Sequence, residues 1–154
     1  MIGIVICLED RWNYTQSDRD IDIMQMYQET IKAFGVNLFL IVDKTTNGMV
    51  HKFPFDIECA SYKTLDEILG RYPNYVKLYF EHPNAISVDY ITLDKLVHPK
   101  DNVLYIFGGD ENGLNITKLK DNEKMTSINV SNYILWSIIA MTIALYDRYV
   151  KGNN

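Results

Sequence analysis

Residues 102–146 read NVLYIFGGDENGLNITKLKDNEKMTSINVSNYILWSIIAMTIALY, and this stretch decides the fold. It opens with a β-rich apolar run, Asn102 to Phe107, which is followed at once by a glycine-containing loop. Gly108, Gly109 and Gly113 have no Cβ atom, so a ligand can approach the backbone closely at three points. Because ligands of open α/β sheets bind at the carboxyl ends of strands, the pattern predicts a ligand site here.

The first part of the chain predicts a strand, a helix and a second strand. Ile2 to Leu8 is a continuous apolar run, which is typical of a strand covered on both faces. Apolar residues then recur at helical spacing from Ile21 to Phe34, and Gly35 ends the pattern. Val36 to Val42 is a second buried strand. Together they predict a right-handed crossover unit.

The middle of the chain is less regular. Pro54 argues against a central strand in residues 49–61, which we predict as a loop that leaves room for a short strand or helix. Thr64 to Arg71 has the polar start and early acids of a short helix. We predict a strand from Tyr75 to Phe80 and a short helix within Ser87 to Leu96. The alternation predicts an α/β, three-layer domain with a mainly parallel sheet, and 154 residues suffice for a single domain over 1–154.

The last predicted element is a helix from Tyr133 to Val150 that is apolar on two faces. Ile138 and Met141 lie on one face, and Ile139 lies on another. The run is too short and too rich in Ser and Thr to span a bilayer, which takes about 20 residues. We therefore expect one face to pack on the sheet and the other on a second subunit of a homodimer.

Composition and charge set broad limits on function. The formal net charge of −5 does not indicate a nucleic-acid partner. A local basic patch is still open, for instance around Lys63, Arg71 and Lys77, but scattered solvated charges are the more common case. Cys7 and Cys59 have no metal-ligand or redox spacing, which predicts reduced core thiols and no metal. No signal peptide opens the sequence, and we expect a cytoplasmic protein.

A few aromatic and histidine residues have ordinary structural interpretations. His51, His82 and His98 are not clustered in sequence, so each is predicted to be a surface or loop residue. Tyr27 and Trp136 are predicted to pack rather than to stack on a ligand.

Three segments in this order resemble the SpoU branch of the SPOUT RNA methyltransferases. Phe107 to Leu114 resembles the FGPExxGL signature, with glycine at position 109 and aspartate at position 110. Ser127 to Ser131 resembles the SLNVS segment. Leu119 stands eight residues before Ser127, as the isoleucine of the family's IPM strand stands before its serine. The joint spacing is more specific than any one piece, and the match covers about the last third of the chain.

The resemblance implies a fold, a cofactor and a reaction. It implies a C-terminal trefoil knot, a homodimer, and methyl transfer from S-adenosylmethionine to RNA, with a ribose 2'-hydroxyl of transfer RNA as the expected target. No metal is needed. Asn129 and Ser131 are expected at the acceptor end. The expected cofactor-binding residues are those at the strand ends and in the knotted loops, namely Phe80, Phe107, Gly108, Gly109, Gly113, Leu119, Ser127, Ile128 and Asn129.

The sequence also departs from the family. In the family, an NxGxxxR segment on the first helix supplies a catalytic arginine. The matching position in this sequence is Glu29, and Arg11 or Arg19 in the preceding loop is the candidate substitute. Three hypotheses stay open: an active methyltransferase, a non-catalytic SPOUT-fold protein that binds the cofactor or RNA, and an unknotted nucleotide-binding module. Gly108 to Gly113 is also compatible with a simple turn, and Ser131 with the N-cap of the last helix.

Overall fold

A computed structural model gives the structure of the chain and describes residues 1–8, 18–43, 57–108, 113–128 and 135–152. In chain order the elements are β1 (Ile2–Cys7), α1 (Asp18–Ala33), β2 (Leu38–Val42), β3 (Glu58–Tyr62), α2 (Leu65–Arg71), β4 (Val76–Glu81), β5 (Ile91–Thr92), β6 (Val103–Gly108), β7 (Glu123–Ser127) and α3 (Ser137–Val150). Among these elements, helices and strands are interspersed in the first half of the chain, and four successive strands lie between α2 and α3.

The seven strands form one parallel sheet in the order β3-β2-β1-β6-β4-β7-β5. All strands therefore end at the same edge, which we call the carboxyl edge. Their register places Cys7 of β1 beside Gly108 of β6, and Glu81 of β4 beside Ser127 of β7. The predicted mainly parallel α/β sheet is confirmed, and the buried strands have the apolar character that two covered faces require.

Helices α1 and α3 cover one face of the sheet. Tyr27 of α1 is buried and its ring stacks on Phe39 at 5.7 Å between centroids, so the prediction that Tyr27 packs in the core is confirmed. Met141 and Leu145 of α3 are buried in the same core cluster. The other face is covered by α2, through the buried Ile68, and by side chains from residues 114–119. The architecture has three layers, as expected.

A buried polar network holds the C-terminal half of α3 against the sheet. The carboxylate of Asp147 accepts a hydrogen bond from Nε2 of His98 (2.8 Å), so the proton of the neutral ring is on Nε2. Nδ1 of His98 then accepts from the Tyr105 hydroxyl (2.7 Å), whose oxygen accepts from Arg148 (3.0 Å). Lys151 pairs with Asp147 at 2.7 Å. Burial lowers the pKa of His98 and so favours this neutral form.

Two of the less regular segments contain the short elements that the sequence left room for. Residues 49–61 contain most of the edge strand β3, which gains its conformation from pairing with β2 rather than from an apolar pattern. The short helix predicted within Ser87 to Leu96 is a 3-10 turn at Leu93–Lys95, and the two-residue strand β5 before it was not predicted. Helix α3 begins at Ser137 with Trp136 at its N-cap, so the start at Tyr133 and the cap at Ser131 are wrong. The spacing of apolar residues indicates which positions are buried and not where a helix begins, so the predicted helix started too early.

Three side-chain predictions are also wrong. Lys77, predicted to be a solvated charge, is buried and donates to the Pro73 carbonyl at 3.2 Å, so it is not part of a surface basic patch with Lys63 and Arg71 either. His98 is buried in the network described above and is not a surface histidine. Trp136, predicted to pack, is 76% exposed. The thiols of Cys7 and Cys59 are free, and burial raises the pKa of each to about 12, which is consistent with unreactive thiols.

Some predictions concern parts of the chain outside the described residues, namely those for Arg11, His51, Gly109, Asp110 and Asn129 and the acceptor-end role of Ser131. The trefoil knot implied by the resemblance stays a prediction, because residues 109–112 and 129–134 lie outside the described ranges. Across the described ranges, no helix is long and apolar enough to cross a membrane. The same ranges contain no group of three or more His, Cys, Asp and Glu side chains that would hold a metal ion.

Candidate functional site

A recess opens at the carboxyl edge of the sheet, between the ends of β4 and β6 and the first turn of α3. Its volume is about 40 Å³, enough for a few water molecules, so a nucleoside-sized ligand has to extend beyond it along the edge. The recess is lined by strand-end, loop and helix residues: Phe80, Glu81, His82, Phe107, Gly108, Ile128, Leu135, Ser137 and Ala140.

Two phenylalanines form the apolar floor of the recess. Phe80 ends its run on β4 and Phe107 lies beside it on β6, because the register pairs the two residues directly. Their rings stack at 4.8 Å between centroids and 14° between planes. Phe80 also stacks on Tyr105 at 5.7 Å. Stacking on two neighbours fixes the Phe80 ring, so the recess has a rigid apolar floor.

Two glycines and a carboxylate lie at one end of the recess. An added Cβ on Gly108 would lie 3.6 Å from both Glu81 Oε1 and the Gly113 backbone, an ordinary contact distance. The missing side chain of Gly108 therefore leaves space that a ligand can fill. Gly113 has φ +70°, and an added Cβ there would lie 2.6 Å from Glu81 Oε2. Oε1 of Glu81 accepts a hydrogen bond from the Leu114 amide. Glycine at position 113 thus suits the positive φ, and a larger residue would also displace the Glu81 carboxylate.

Strand β7 ends in two buried hydroxyl groups. Ser127 is 1% exposed, and neither its Oγ nor the Oγ1 of Thr126 has a hydrogen-bond partner within the described part of the chain. A buried hydroxyl without a partner carries a desolvation penalty of about 1–3 kcal/mol. Such groups are expected where a ligand or an ordered water supplies the missing partner.

The first turn of α3 forms the wall opposite the strand ends. Ser137 and Ala140 face the recess, and the Ser137 hydroxyl is hydrogen-bonded to Tyr27 of α1 at 2.7 Å. Burial raises the pKa of Tyr27, so its hydroxyl stays protonated. On the strand side, His82 uses Nδ1 to accept from the Asn84 amide at 3.2 Å, which caps the short turn after β4. The wall is therefore fixed by contacts outside the recess.

The structure brings together some of the predicted site residues and separates others. Phe80, Phe107, Gly108 and Ile128 all line the recess. Gly113 borders it through its contact with Glu81. Ser127 is at the same edge but outside the lining, and Leu119 packs on the opposite face of the sheet with the α2 cluster. Leu119 also lies four residues before β7 begins, so it is not in a strand.

Sequence reasoning missed several lining residues. Glu81 and His82 follow the predicted strand Tyr75 to Phe80 and were not predicted as site residues, although a carboxylate that directly follows a buried strand is a signal for the carboxyl edge. Leu135, Ser137 and Ala140 were assigned only to a packing helix. These residues reach the recess because α3 begins at Ser137, and no local sequence pattern predicted that helix start.

Glu29, the residue at the position of the family's arginine, lies elsewhere. It is exposed on α1, in a shallow groove between α1 and α3. The groove is mostly apolar, and Glu29 is not among the residues that line the recess. Its lining residues are Met26, Glu29, Thr30, Ile138, Ile139, Thr142 and Ile143.

Comparison with known proteins gives a likeness in structure alone. No family model and no curated protein matches the sequence. Among solved structures, a "probable methyltransferase" from Bordetella pertussis Tohama I has a TM-score of 0.70 at 14% identity, over 96% of this chain and 94% of that one. The SpoU methyltransferase AviRb from Streptomyces viridochromogenes, solved with AdoMet, has a TM-score of 0.65 at 14% identity, over 97% of this chain and 57% of that one.

The chain has the fold of the SpoU methyltransferases. A TrmH/SpoU tRNA modifying enzyme from A. aeolicus agrees, with a TM-score of 0.64 at 10% identity over 99% of this chain and 77% of that one. The resemblance inferred from three short segments is thereby confirmed for the fold of nearly the whole chain. Its recess lies where the two motif strands, β6 and β7, end beside β4.

Proposed function

We propose that this protein is an S-adenosylmethionine-dependent RNA methyltransferase whose target is a ribose 2'-hydroxyl of transfer RNA. The observation that supports this most is the coincidence of the motif residues with the recess. The same recess at the carboxyl edge is lined by Phe107 and Gly108 of the first motif and by Ile128 of the second. A fold shared with SpoU methyltransferases makes that edge the expected place for the methyl donor.

The residues present at the edge fit S-adenosylmethionine. The stacked rings of Phe80 and Phe107 offer an apolar surface, and Gly108 leaves a space without a Cβ atom. The buried Ser127 hydroxyl lacks a partner in the described residues and is available to a polar ligand. These are the properties of a nucleoside site, with apolar walls and a small number of placed polar groups.

The reaction requires little acid–base catalysis from the protein. When bound, the donor supplies a methyl group already activated by the sulfonium charge. The chain's own task is to align the acceptor hydroxyl and to remove one proton. The strand ends hold one side of the site rigidly, because the buried Phe80 ring stacks on both Phe107 and Tyr105. We propose Asn129 and Ser131 for the acceptor end and Gly109 and Asn129 for the donor, all outside the described residues.

We also propose that the protein is a homodimer. Helix α3 exposes Ile139, Tyr146, Tyr149 and Val150 although its other face is buried in the core. The apolar groove between α1 and α3 adjoins this stripe. An exposed apolar stripe of this kind favours association with a second copy.

The test of the function is binding followed by transfer. Calorimetry with S-adenosylmethionine should show saturable binding of one donor per chain. Incubation with tritiated donor and total transfer RNA, followed by mass spectrometry of nucleosides, should then show a 2'-O-methylated nucleoside. A protein that binds no donor would refute the proposal. Binding without transfer to any transfer RNA would support the alternative, a non-catalytic SPOUT-fold protein that binds the cofactor or RNA. The observation that favours this alternative is the exposed acid Glu29 at the arginine position.

A further inference from the structure

Residues 113–120 cross the sheet face opposite to α3 without forming a helix or a strand. Leu114, Ile116 and Leu119 pack on the cluster that contains the buried Tyr79 of β4. A backbone without regular hydrogen bonds needs other partners to stay in place. The 113–120 segment begins at the recess, because Gly113 touches Glu81, one of the lining residues.

Two carboxylates hold the two ends of the 113–120 segment. At its start, Glu81 Oε1 accepts the Leu114 amide. At its end, Glu123 Oε1 accepts the Lys120 amide at 3.2 Å, while its Oε2 accepts from the Tyr79 hydroxyl. Tyr79 and Glu81 are two residues apart on β4, and they therefore lie on the same face of the sheet. The start of the segment is thus bonded directly to β4, and its end is linked to β4 through Glu123 of β7.

The two ends differ in their distance from the site. Glu81 lines the recess and lies next to Gly108 and Gly113. Its charge also raises the pKa of the Cys7 thiol, after the larger effect of burial, so the carboxylate is electrostatically close to the ends of β1 and β6 as well. Glu123 is the first residue of β7, four residues before the carboxyl edge, and it does not line the recess.

We propose that Glu81 is a positioning residue of the methyl-donor site, and this inference rests on the proposed function. Its carboxylate fixes Gly113 and Leu114 at the edge of the recess and thereby gives the donor a preformed wall. Without this carboxylate the start of the segment is no longer held at the recess, while the apolar contacts and Glu123 still hold the remainder. Donor affinity then falls although the fold is kept, because the ordering of the wall has to occur on binding.

The test compares three substitutions in the full chain. Glu81→Ala removes the acceptor, Glu81→Gln keeps an acceptor oxygen without the charge, and Glu123→Ala removes the matched carboxylate at the far end. Calorimetry measures affinity for S-adenosylmethionine and for its neutral product, S-adenosylhomocysteine. Amide exchange at Leu114 is measured without ligand, and thermal unfolding reports on stability.

Glu81→Ala is expected to weaken both ligands at least tenfold and to speed exchange of the Leu114 amide. Glu81→Gln should recover affinity to within about threefold of the wild type, since an amide oxygen can accept the same hydrogen bond. Glu123→Ala should stay within twofold in affinity even if its melting temperature falls as far as that of Glu81→Ala.

Three results would overturn the proposal. Equal losses of affinity in Glu81→Ala and Glu123→Ala would mean that affinity follows general stability. Loss confined to S-adenosylmethionine, with Glu81→Gln as weak as Glu81→Ala, would mean that Glu81 acts by its charge on the sulfonium and not by position. Unchanged affinity or Leu114 exchange in Glu81→Ala would remove the role while leaving the proposed function intact. A wild-type protein that binds neither ligand would instead refute the proposed function itself.

Discussion

Replacement of Gly113 by alanine measures how firmly the Glu81 carboxylate is held at the recess. Gly113 has φ +70°, and an added Cβ would lie 2.6 Å from Glu81 Oε2 and 3.0 Å from its Oε1. Gly35 is the matched control, because its φ is +71° and an added Cβ would meet nothing within 4 Å. The two substitutions share the backbone cost and differ only in the contact with the carboxylate.

The expected costs follow from these two environments. An L residue in the left-handed region costs about 1–2 kcal/mol, and alanine offsets about 0.4–1 kcal/mol of this by restricting the unfolded chain. Gly35→Ala should therefore lower the free energy of unfolding by about 1 kcal/mol. At Gly113 the carboxylate must also leave the Leu114 amide, and a hydrogen bond to a charged group contributes about 1.5–3 kcal/mol. Gly113→Ala should cost about 3 kcal/mol in all.

Urea titrations of both variants, of Glu81→Ala and of the double variant Glu81→Ala/Gly113→Ala give the required free energies of unfolding. Once Glu81 is truncated, Gly113→Ala should cost no more than Gly35→Ala, which corresponds to a coupling of about 2 kcal/mol between the two sites. Equal costs for the two single glycine variants, or an additive double variant, would refute the inference that the carboxylate occupies this place in solution.

Three further predictions concern the recess, α3 and the groove. Gly108→Val should abolish binding of S-adenosylmethionine, measured by calorimetry, while circular dichroism shows a folded protein. The fold is kept because an added Cβ lies at an ordinary 3.6 Å from its neighbours, and binding is lost because the two methyl groups fill the recess. Unchanged affinity would place the donor elsewhere. Burial lowers the pKa of His98 below its usual 6.5, so as the pH falls the unfolded chain binds a proton before the folded chain does. The contribution of His98 to the free energy of unfolding is therefore complete above about pH 6.5. Below that pH it is lost, by at most about 1.4 kcal/mol per pH unit. Urea midpoints at pH 7.5 and 5.5 should show this fall in the wild type and a smaller one in His98→Gln, and equal falls would assign it to other groups. Ile139→Glu should shift sedimentation toward the monomer, whereas Val97→Glu, at a position 78% exposed and outside the groove, should not; a wild-type monomer at micromolar concentration would remove the dimer.

The buried strands could be predicted from sequence because their pattern has a single physical cause. Ile2 to Cys7, Leu38 to Val42 and Val103 to Gly108 are the central strands β1, β2 and β6, and burial on both faces demands continuous apolar runs. Strands at or near an edge of the sheet lack this demand. The edge strand β3 (Glu58–Tyr62) and β7 (Glu123–Ser127), which only the two-residue β5 flanks on its outer side, contain charged residues. They become strands because neighbours in the sheet supply their hydrogen bonds.

The site was predictable only as far as its motifs reach. Phe107, Gly108 and Ile128 could be placed at one edge because the motif order and a parallel sheet bring strand ends together. The partnership of Glu81 with Leu114 joins residues 33 apart and depends on the path of the irregular 113–120 segment. The network of His98, Tyr105 and Arg148 likewise depends on where α3 crosses the sheet. No local pattern encodes such long-range polar pairs.

Glu29 occupies the position at which the resemblance expects a cation, and its place in the fold limits what its charge can do. It is exposed in the α1/α3 groove and does not line the recess. Salt screens exposed charges over about 8 Å at physiological ionic strength, so within one chain Glu29 should have little effect on a donor in the recess. It does oppose the approach of phosphate to the groove, and affinity for RNA rests largely on cationic contacts to phosphate. Glu29→Arg is therefore expected to leave the affinity for S-adenosylmethionine within twofold and to tighten binding of transfer RNA at low salt, measured by calorimetry and by filter binding. A changed donor affinity with unchanged RNA affinity would show that Glu29 acts at the donor site after all.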